Sequence, residues 1–108
     1  MDKPDTPQAA LELLILKTLA RSLNHGFGIA LHIEQSSSEL LRVEEGSLYP
    51  ALHRLEKAGY IEAEWQVTEK GRNARVYRLT RTGRKRLLKI EQSWTTLTEG
   101  VRRVLKWA

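Results

Sequence analysis

Side chains that can donate hydrogen bonds are concentrated in residues 42–61, which read RVEEGSLYPALHRLEKAGYI. At about 100° per residue, a helix from about Ser47 to Ala58 places these side chains on one side. They belong to His53, Arg54 and Lys57, with Ser47 and Tyr49 near the leading end, and Pro50, which has no donor, lies on the same side. Hydroxyl, imidazole and guanidinium groups can contact base edges and phosphate oxygens. These residue types therefore predict that the helix binds a nucleic acid through non-covalent contacts.

Catalysis and metal binding are not indicated anywhere in the sequence. There is no cysteine, and His25, His32 and His53 lack the spacing of metal ligands. Glu44 and Glu45 form an acidic pair with no nucleophile beside a base, and the glycines form no phosphate-binding loop. We therefore expect no enzymatic activity, no metal and no cofactor.

The same predicted helix has an apolar back and readable ends. Leu48, Ala51, Leu52 and Leu55 follow the i, i+3, i+4, i+7 spacing of a stripe that faces a core. Ser47 is predicted as the N-cap, Pro50 as a first-turn residue and Gly59 as the stop. This helix alone fits two interpretations equally well, a recognition helix and an ordinary surface helix of a small domain.

The positive charge of the chain is concentrated next to this helix. The net charge is +5, but residues 66–89 hold nine Lys or Arg and one Glu, a balance of +8. The other residues hold nine basic and twelve acidic side chains. A basic segment of this kind is typical of a phosphate-binding surface, although a solvated charged face is the usual alternative.

The remaining elements follow in a simple order. Residues 1–5 are predicted as a frayed tail, and a first helix, capped by Thr6, runs from Pro7 to about Leu23. A break at residues 24–26 precedes a second helix from Phe27 to about Gln35. Residues 40–43 are predicted as an extended approach to the recognition helix, with a minor edge strand as an alternative.

A hairpin then joins strands 60–67 and 74–80 through a turn that contains Gly71 and Asn73. We expect favourable cross-strand pairs between Glu62 or Glu64 and Arg75 or Arg78. Thr80 is predicted to cap a last helix from Arg81 to about Lys106. The fold class is mainly α with a small β-hairpin, in the order of a winged helix-turn-helix, with residues 1–80 as the DNA-binding domain and 81–108 as a long C-terminal dimerisation helix.

The last helix carries an a/d heptad seam, which predicts a partner helix. Its residues are Leu87, Ile90, Trp94, Leu97, Val101 and Val104. The first helix has more leucine and isoleucine than one face can bury, and we expect Leu11 and Leu14 to join the same interface. The simplest supplier of the missing surface is a second copy of the chain.

From about Gln8 onward the chain resembles the PadR family of bacterial transcriptional regulators, in particular its short subfamily with one C-terminal helix. The matching segments are LELLILKTL, HGFGIA, EGSLYPALHRLEKAGYI, GRNARVYRLT and TRTGRKRL. The resemblance implies a homodimer, held by the first and last helices, that represses transcription from an inverted-repeat operator in double-stranded DNA. Departures from the family pattern are Phe27, where many members have tyrosine, and Asn73, where the wing often has proline.

The resemblance also implies a small-molecule effector. Ser93 and Trp94 after Glu91 are similar to the segment of multidrug-binding members in which a tryptophan from each subunit stacks on flat aromatic ligands. A plain core role for Trp94 is the alternative.

Two groups of DNA contacts are expected. Arg54, Lys57, Lys70, Arg72, Asn73 and Arg75 are assigned to the backbone and the wing, whereas Ser47, Tyr49, Pro50 and His53 are assigned to the major-groove edge. The ring of Tyr49 has an alternative place beneath the helix.

Two other classes of function remain open: a winged-helix module for protein–protein interaction, and an RNA-binding winged helix. Acidic residues near the start argue against a signal peptide, and no apolar run reaches the roughly 18 residues of a membrane span. We expect a bacterial cytoplasmic protein that associates with the nucleoid and not with a membrane.

Overall fold

A computed structural model of the chain describes residues 6–107, and the predicted tail at residues 1–5 lies outside them. Its elements are α1 (Gln8–Arg21), β1 (Asn24–His25), α2 (Gly26–Ser36), α3 (Glu45–Lys57), β2 (Ile61–Val67), β3 (Asn73–Leu79) and α4 (Arg81–Trp107). The predicted fold class, mainly α with a small sheet and a long last helix, is confirmed.

The sheet has three antiparallel strands in the order β1-β3-β2, one more than the predicted hairpin. The additional strand, β1, lies where the sequence predicts only a break, and His25 pairs with Val76 in it. Two residues carry too little periodicity to predict a strand. Because α2 starts at once after β1, this pairing fixes the beginning of α2 against the sheet.

One core joins the helices to the sheet. The apolar stripe of α3 packs against residues of α1, α2 and the strands, and its members are fully buried as predicted. The largest fully buried side chains are Leu11, Ile15, Leu16, Ile29, Leu48, Leu52 and Ile61. Burial of each such side chain contributes about 1.5–3 kcal/mol, so this core positions α3 firmly.

Both predicted caps at the starts of α1 and α3 are wrong. Thr6 does not cap α1; its hydroxyl donates to the carbonyl of Arg42 at 2.9 Å, and Pro7 holds the N-cap position without a side-chain bond. Helix α3 starts two residues earlier than predicted, after Glu44, so Ser47 lies inside its first turn. Pro50 consequently falls in the second turn, where it supplies no amide for the carbonyl of Gly46.

The predicted ends at Gly59 and Thr80 are confirmed. Gly59 has φ +83°, and the amides of Gly59 and Tyr60 donate to the carbonyls of Glu56 and Leu55 at 3.0 Å each, which is a Schellman motif. The hydroxyl of Thr80 accepts from the amide of Gly83 at 3.0 Å and caps α4. Residues 40–43 form no strand; Arg42 makes an isolated bridge.

Candidate nucleic-acid interface

Helix α3 presents the predicted donor face to solvent. All six residues assigned to this helix from the sequence are exposed, as is Glu45 at its start; the six are Ser47, Tyr49, Pro50, His53, Arg54 and Lys57. Exposure on one face follows from burial of the opposite stripe. The structure therefore brings the predicted contact residues together, and their contact with DNA stays a prediction.

Tyr49 belongs both to this face and to the packing of α2. A Cβ atom built on Gly26 would lie 2.9 Å from Cε1 and 3.0 Å from the hydroxyl oxygen of Tyr49, so the ring rests on the backbone at the start of α2. The side chain is still 46% exposed. Glycine at position 26 is what allows this close approach, and it fixes the ring at the edge of the α3 face.

The turn of the hairpin is closed by its own backbone. The amide of Thr68 donates to the carbonyl of Arg72 at 2.7 Å, and the amide of Gly71, which has φ +78°, donates to the carbonyl of Thr68 at 2.9 Å. Lys70 and Arg72 are exposed at this tip. No ion pair between the described residues involves either cation, so their charge is available to a phosphate.

Arg75 is in a different position, which the sequence did not indicate. Its Nη2 lies 2.7 Å from Oε2 of Glu56 on α3, and its guanidinium lies 5.9 Å from the centre of the Tyr77 ring. The bridge joins the hairpin to the recognition helix. The carboxylate of Glu56 thereby partly compensates the positive charge of Arg75.

Tyr77 lies at the centre of the same cluster. Burial raises the pKa of its phenol above the ordinary value of about 10.0, the charge of Arg75 opposes this, and Glu56 and Tyr49 add to it. The phenol is therefore neutral at physiological pH. On the hairpin itself, the predicted cross-strand pair between Glu62 and Arg78 is confirmed at 3.2 Å.

Arg54 lies near the start of α1. The oxygen of the Gln8 carboxamide, when it faces the guanidinium, accepts from Nη2 at 3.2 Å and from Nε at 3.3 Å. A neutral amide orients the guanidinium without cancelling its charge, so Arg54 keeps its capacity for a phosphate.

His25 holds the start of α2 beside the hairpin, a role that was not predicted from the sequence. Its Nδ1 accepts the amide of Gly28 at 3.0 Å and so caps α2, while its backbone pairs in β1. Histidine is an uncommon N-cap, so a search of the sequence for Ser, Thr, Asp or Asn at the start of a helix does not find this cap. Nδ1 can accept this hydrogen bond only when it carries no proton.

The α4 seam divides into a packed half and an open half. Leu87 is buried, Ile90 and Trp94 are half-buried, and Leu97, Val101 and Val104 are exposed. The packed half is held on α1 by ion pairs of Lys17 with Glu91 at 3.0 Å and of Arg86 with Glu12 at 3.4 Å.

Two predicted interface residues need correction. Leu11 and Leu87 are only 1% and 5% exposed within a single chain, because both belong to its buried core. They have almost no surface left for a second subunit. Leu14 is half-buried and keeps part of its surface.

Residues 6–107 show neither a metal site nor a membrane-spanning helix. Within that range no three His, Cys, Asp or Glu side chains are grouped to hold a metal ion. None of the helices described there combines the length and apolar character needed to cross a membrane.

Comparison with known proteins gives a consistent result. The model of the family described as Transcriptional regulator PadR-like family matches residues 15–89. Transcriptional regulator Rv3488 of Mycobacterium tuberculosis is 42% identical over 77 residues, which are 71% of this chain and 68% of that protein.

Solved structures extend the likeness to nearly the whole chain. A transcriptional regulator from Clostridium thermocellum has a TM-score of 0.81 at 27% identity, over 89% of this chain and 93% of that one. A PadR-like transcriptional regulator from Bacillus cereus has a TM-score of 0.75 at 27% identity, over 88% of this chain and 90% of that one.

Proposed function

The chain belongs to the PadR-like family of transcriptional regulators, and from that premise we propose that it is a homodimeric repressor of an inverted-repeat operator in double-stranded DNA. Members of this family are DNA-binding proteins and not enzymes. One observation supports this proposal most strongly: the exposed face of α3 lies beside the tip of the hairpin, which is the wing of the fold. Tyr49 at the edge of that face lines the same groove as Lys70 and Arg72, the two tip cations that have no ion pair among the described residues.

In this proposal α3 lies in the major groove. Ser47, Tyr49, Pro50 and His53 meet base edges, while Arg54, Lys57, Lys70, Arg72 and Asn73 contact the backbone and the adjoining groove. Arg75 also contacts the DNA backbone once its ion pair with Glu56 has opened. The two other functional classes are less well supported: an A-form RNA major groove is too narrow for α3, and a protein partner does not account for the concentrated positive charge.

The dimer is proposed from the open half of the α4 seam. Leu97, Val101 and Val104 are 56%, 48% and 67% exposed, and Trp94 lies at the boundary with the packed half. Apolar side chains at a/d spacing gain by packing against an equivalent helix. A two-fold dimer places two α3 helices in successive major grooves on one side of the DNA.

The small-molecule effector is proposed at Trp94, which is half-buried on α4. Near a two-fold axis, two indoles could enclose a flat aromatic ligand, and one ligand would then bias the distance between both α3 helices. Planar cationic dyes should quench tryptophan fluorescence and weaken DNA binding in parallel. Trp65 and Trp107 also fluoresce, so Trp94→Phe is the control; equal dye binding by that variant would place the effector elsewhere.

Binding to the chain's own upstream DNA, measured by mobility shift against random DNA and RNA, tests the proposal. With about six to eight phosphate contacts per dimer, the logarithm of the affinity should fall against the logarithm of the salt concentration with a slope of about −5 to −7. Arg72→Ala should flatten this slope and weaken all DNA sequences alike, since Arg72 contacts phosphates.

Arg102→Ala is the matched control, because Arg102 is paired with Glu99 far along α4. It should leave the slope unchanged. Stronger binding to RNA, or a changed sequence preference with an intact slope in Arg72→Ala, would contradict the assignment.

A further inference from the structure

The carboxylates around the start of α3 differ in what they bind. Oε2 of Glu34 accepts the amide of Val43 at 3.3 Å, and Oε1 of Glu44 lies 2.9 Å from Nε of Arg42. Glu45 is exposed, and among residues 6–107 no hydrogen bond or ion pair involves its side chain. Its carboxylate is therefore available to a donor outside the chain.

The backbone that carries Glu45 is held on both sides. Before it, the carbonyl of Arg42 accepts from the amide and the hydroxyl of Thr6 at 3.2 and 2.9 Å. After it, the first turn of α3 is closed by the amide of Ser47, which donates to the carbonyl of Glu44 at 3.0 Å. A side chain that distinguishes one base from another needs a fixed backbone of this kind.

Glu45 also lies at the end of α3 that the proposed function directs at base edges. It is the first residue of α3, and the N-terminal residues of a recognition helix are those that contact bases. Tyr49, four residues later, lies on the same side of the helix. Gly46 has open space beside it, because a Cβ atom built there meets nothing within 4 Å. The first turn is thus accessible to a DNA groove.

A carboxylate on this surface limits what it can contact. Close to phosphates it is repelled, and that repulsion is offset only where the carboxylate accepts a hydrogen bond. In the major groove the donors are the amino groups of cytosine and adenine; glutamate accepts from N4 of cytosine, whereas glutamine pairs with N6 and N7 of adenine. The positive end of the α3 dipole also favours Glu45, but that interaction does not depend on the DNA sequence.

We propose that Glu45 is a specificity-determining residue, whose carboxylate accepts a hydrogen bond from N4 of one cytosine in each half-site. The inference rests on the proposed function, because it requires α3 to lie in the major groove of DNA. It adds an acceptor to a set of contacts that otherwise consists of donors and apolar atoms. Thymine is rejected at that position, because its O4 atom is itself an acceptor.

Selection of bound DNA from a random-sequence library, followed by sequencing, compares the wild type with Glu45→Gln. The wild type should enrich a motif with cytosine at one position of each half-site. Glu45→Gln should favour adenine at that position and leave the other positions unchanged. Glu44→Gln is the matched control, because the carboxylate of Glu44 is engaged by Arg42; it should select the wild-type motif.

Fluorescence polarisation with the selected site measures the size of the effect. Replacing the C·G pair by T·A in both half-sites should weaken binding of the wild type by about tenfold to a hundredfold. The same replacement should weaken binding of Glu45→Ala by less than about threefold, because that variant has no acceptor to lose its donor. If Glu45 served only the helix dipole, both variants would lose stability and keep the preference for cytosine.

An unchanged motif in Glu45→Gln, or the same change in Glu44→Gln, overturns the inference. A Glu45→Gln that is folded by circular dichroism but selects no motif also overturns it, because one lost contact alters one position per half-site. If Glu45→Gln does not fold, the response of Glu45→Ala to the T·A site decides. A wild type that enriches no motif overturns the proposed function, and the role of Glu45 with it.

Discussion

Arg75 shows how a neighbouring side chain changes the part that a cation can play. From the sequence it is one of several equivalent positive charges, but in the structure its guanidinium is 2.7 Å from Glu56. Lys70 and Arg72 at the tip have no such partner among the described ion pairs. In the proposed complex with DNA, Arg75 is therefore the one of these three cations that would exchange a carboxylate for a phosphate, and Glu56 would weaken that contact.

Glu56→Gln should consequently tighten DNA binding by about twofold to fivefold, since an exposed pair of this kind contributes about 0.2–1 kcal/mol. The salt dependence of the affinity should become steeper, because one more cation per subunit is available to phosphates. Mobility shift over a series of salt concentrations measures both effects.

The matched control is Glu62→Gln. It frees Arg78 from a comparable pair at 3.2 Å on the same hairpin, away from α3. We expect a smaller change in affinity from this variant. Weaker binding by Glu56→Gln would mean that Glu56 holds Arg75 in place for DNA and does not compete with it.

At the scale of elements, the end of α3 is attached to the start of α4. The amide of Thr80 donates to the carbonyl of Tyr60 at 3.1 Å, and the hydroxyl of Thr80 donates to the carbonyl of Gly59 at 2.7 Å. The backbone of Gly83 crosses close to the carbonyl of Tyr60, with no space for a Cβ atom. The guanidinium of Arg86 lies 5.7 Å from the centre of the Tyr60 ring. The recognition helix and the proposed dimerisation helix are thus joined through one short segment.

Two glycine substitutions in α4 should have opposite effects on stability. Gly83→Ala places a Cβ against the carbonyl of Tyr60 and 2.7 Å from Cδ1 of Leu79, so it should destabilise the fold by about 2 kcal/mol or more. Gly100→Ala meets nothing within 4 Å and should stabilise the helix by up to about 1 kcal/mol.

Urea unfolding followed by circular dichroism compares the two variants. The identical chemical change in one helix controls for the effect of the added methyl group. A stable Gly83→Ala would show that α4 can move away from Tyr60 without cost. A loss of stability in Gly100→Ala would show that the partner helix packs closely at that residue.

The sequence predicted those features that depend on periodicity or on strong local signals. Alternating and 3.6-residue patterns identified α3, the hairpin and α4, and Gly59 and Thr80 marked their ends correctly. The cap at Thr6 was wrong because its hydroxyl bonds the carbonyl of Arg42 instead. The cap at Ser47 was wrong because α3 starts earlier, after Glu44.

The parts of the site that the sequence did not indicate all depend on contacts between distant segments. His25 pairs with β3, Tyr49 rests on Gly26, and Arg75 reaches Glu56. Leu11 and Leu87 were assigned to an interface because periodicity distinguishes apolar faces from polar ones but does not say which neighbour covers them.

At the scale of the whole molecule, the basic segment and the open half of the α4 seam lie apart. The net charge of +8 in residues 66–89 lies on the hairpin and the beginning of α4, whereas the open seam lies at the other end of α4. At about 1.5 Å per residue, the 27 residues of α4 extend for roughly 40 Å, and the molecule measures 55 Å in its longest dimension. This arrangement suits a dimer that joins at one end and presents two basic surfaces at the other.

Val101→Glu should weaken the dimer by about 100-fold or more, because it buries an unpaired carboxylate in the proposed seam. Leu88→Glu is the control; Leu88 is also exposed on α4, at 67%, but lies outside the seam. Light scattering across a range of protein concentrations measures the association. Equal effects of both variants, or a monomeric wild type, would contradict the assignment of the seam.

Footprinting of the wild-type protein on its own upstream DNA tests the central claim most directly, because it reports sequence selection and two-fold symmetry together. The account predicts two protected half-sites in an inverted repeat, with their centres about 10 bp or a multiple of that distance apart. Protection of a single isolated half-site, or uniform protection without sequence preference, would contradict a dimer that reads DNA through two α3 helices.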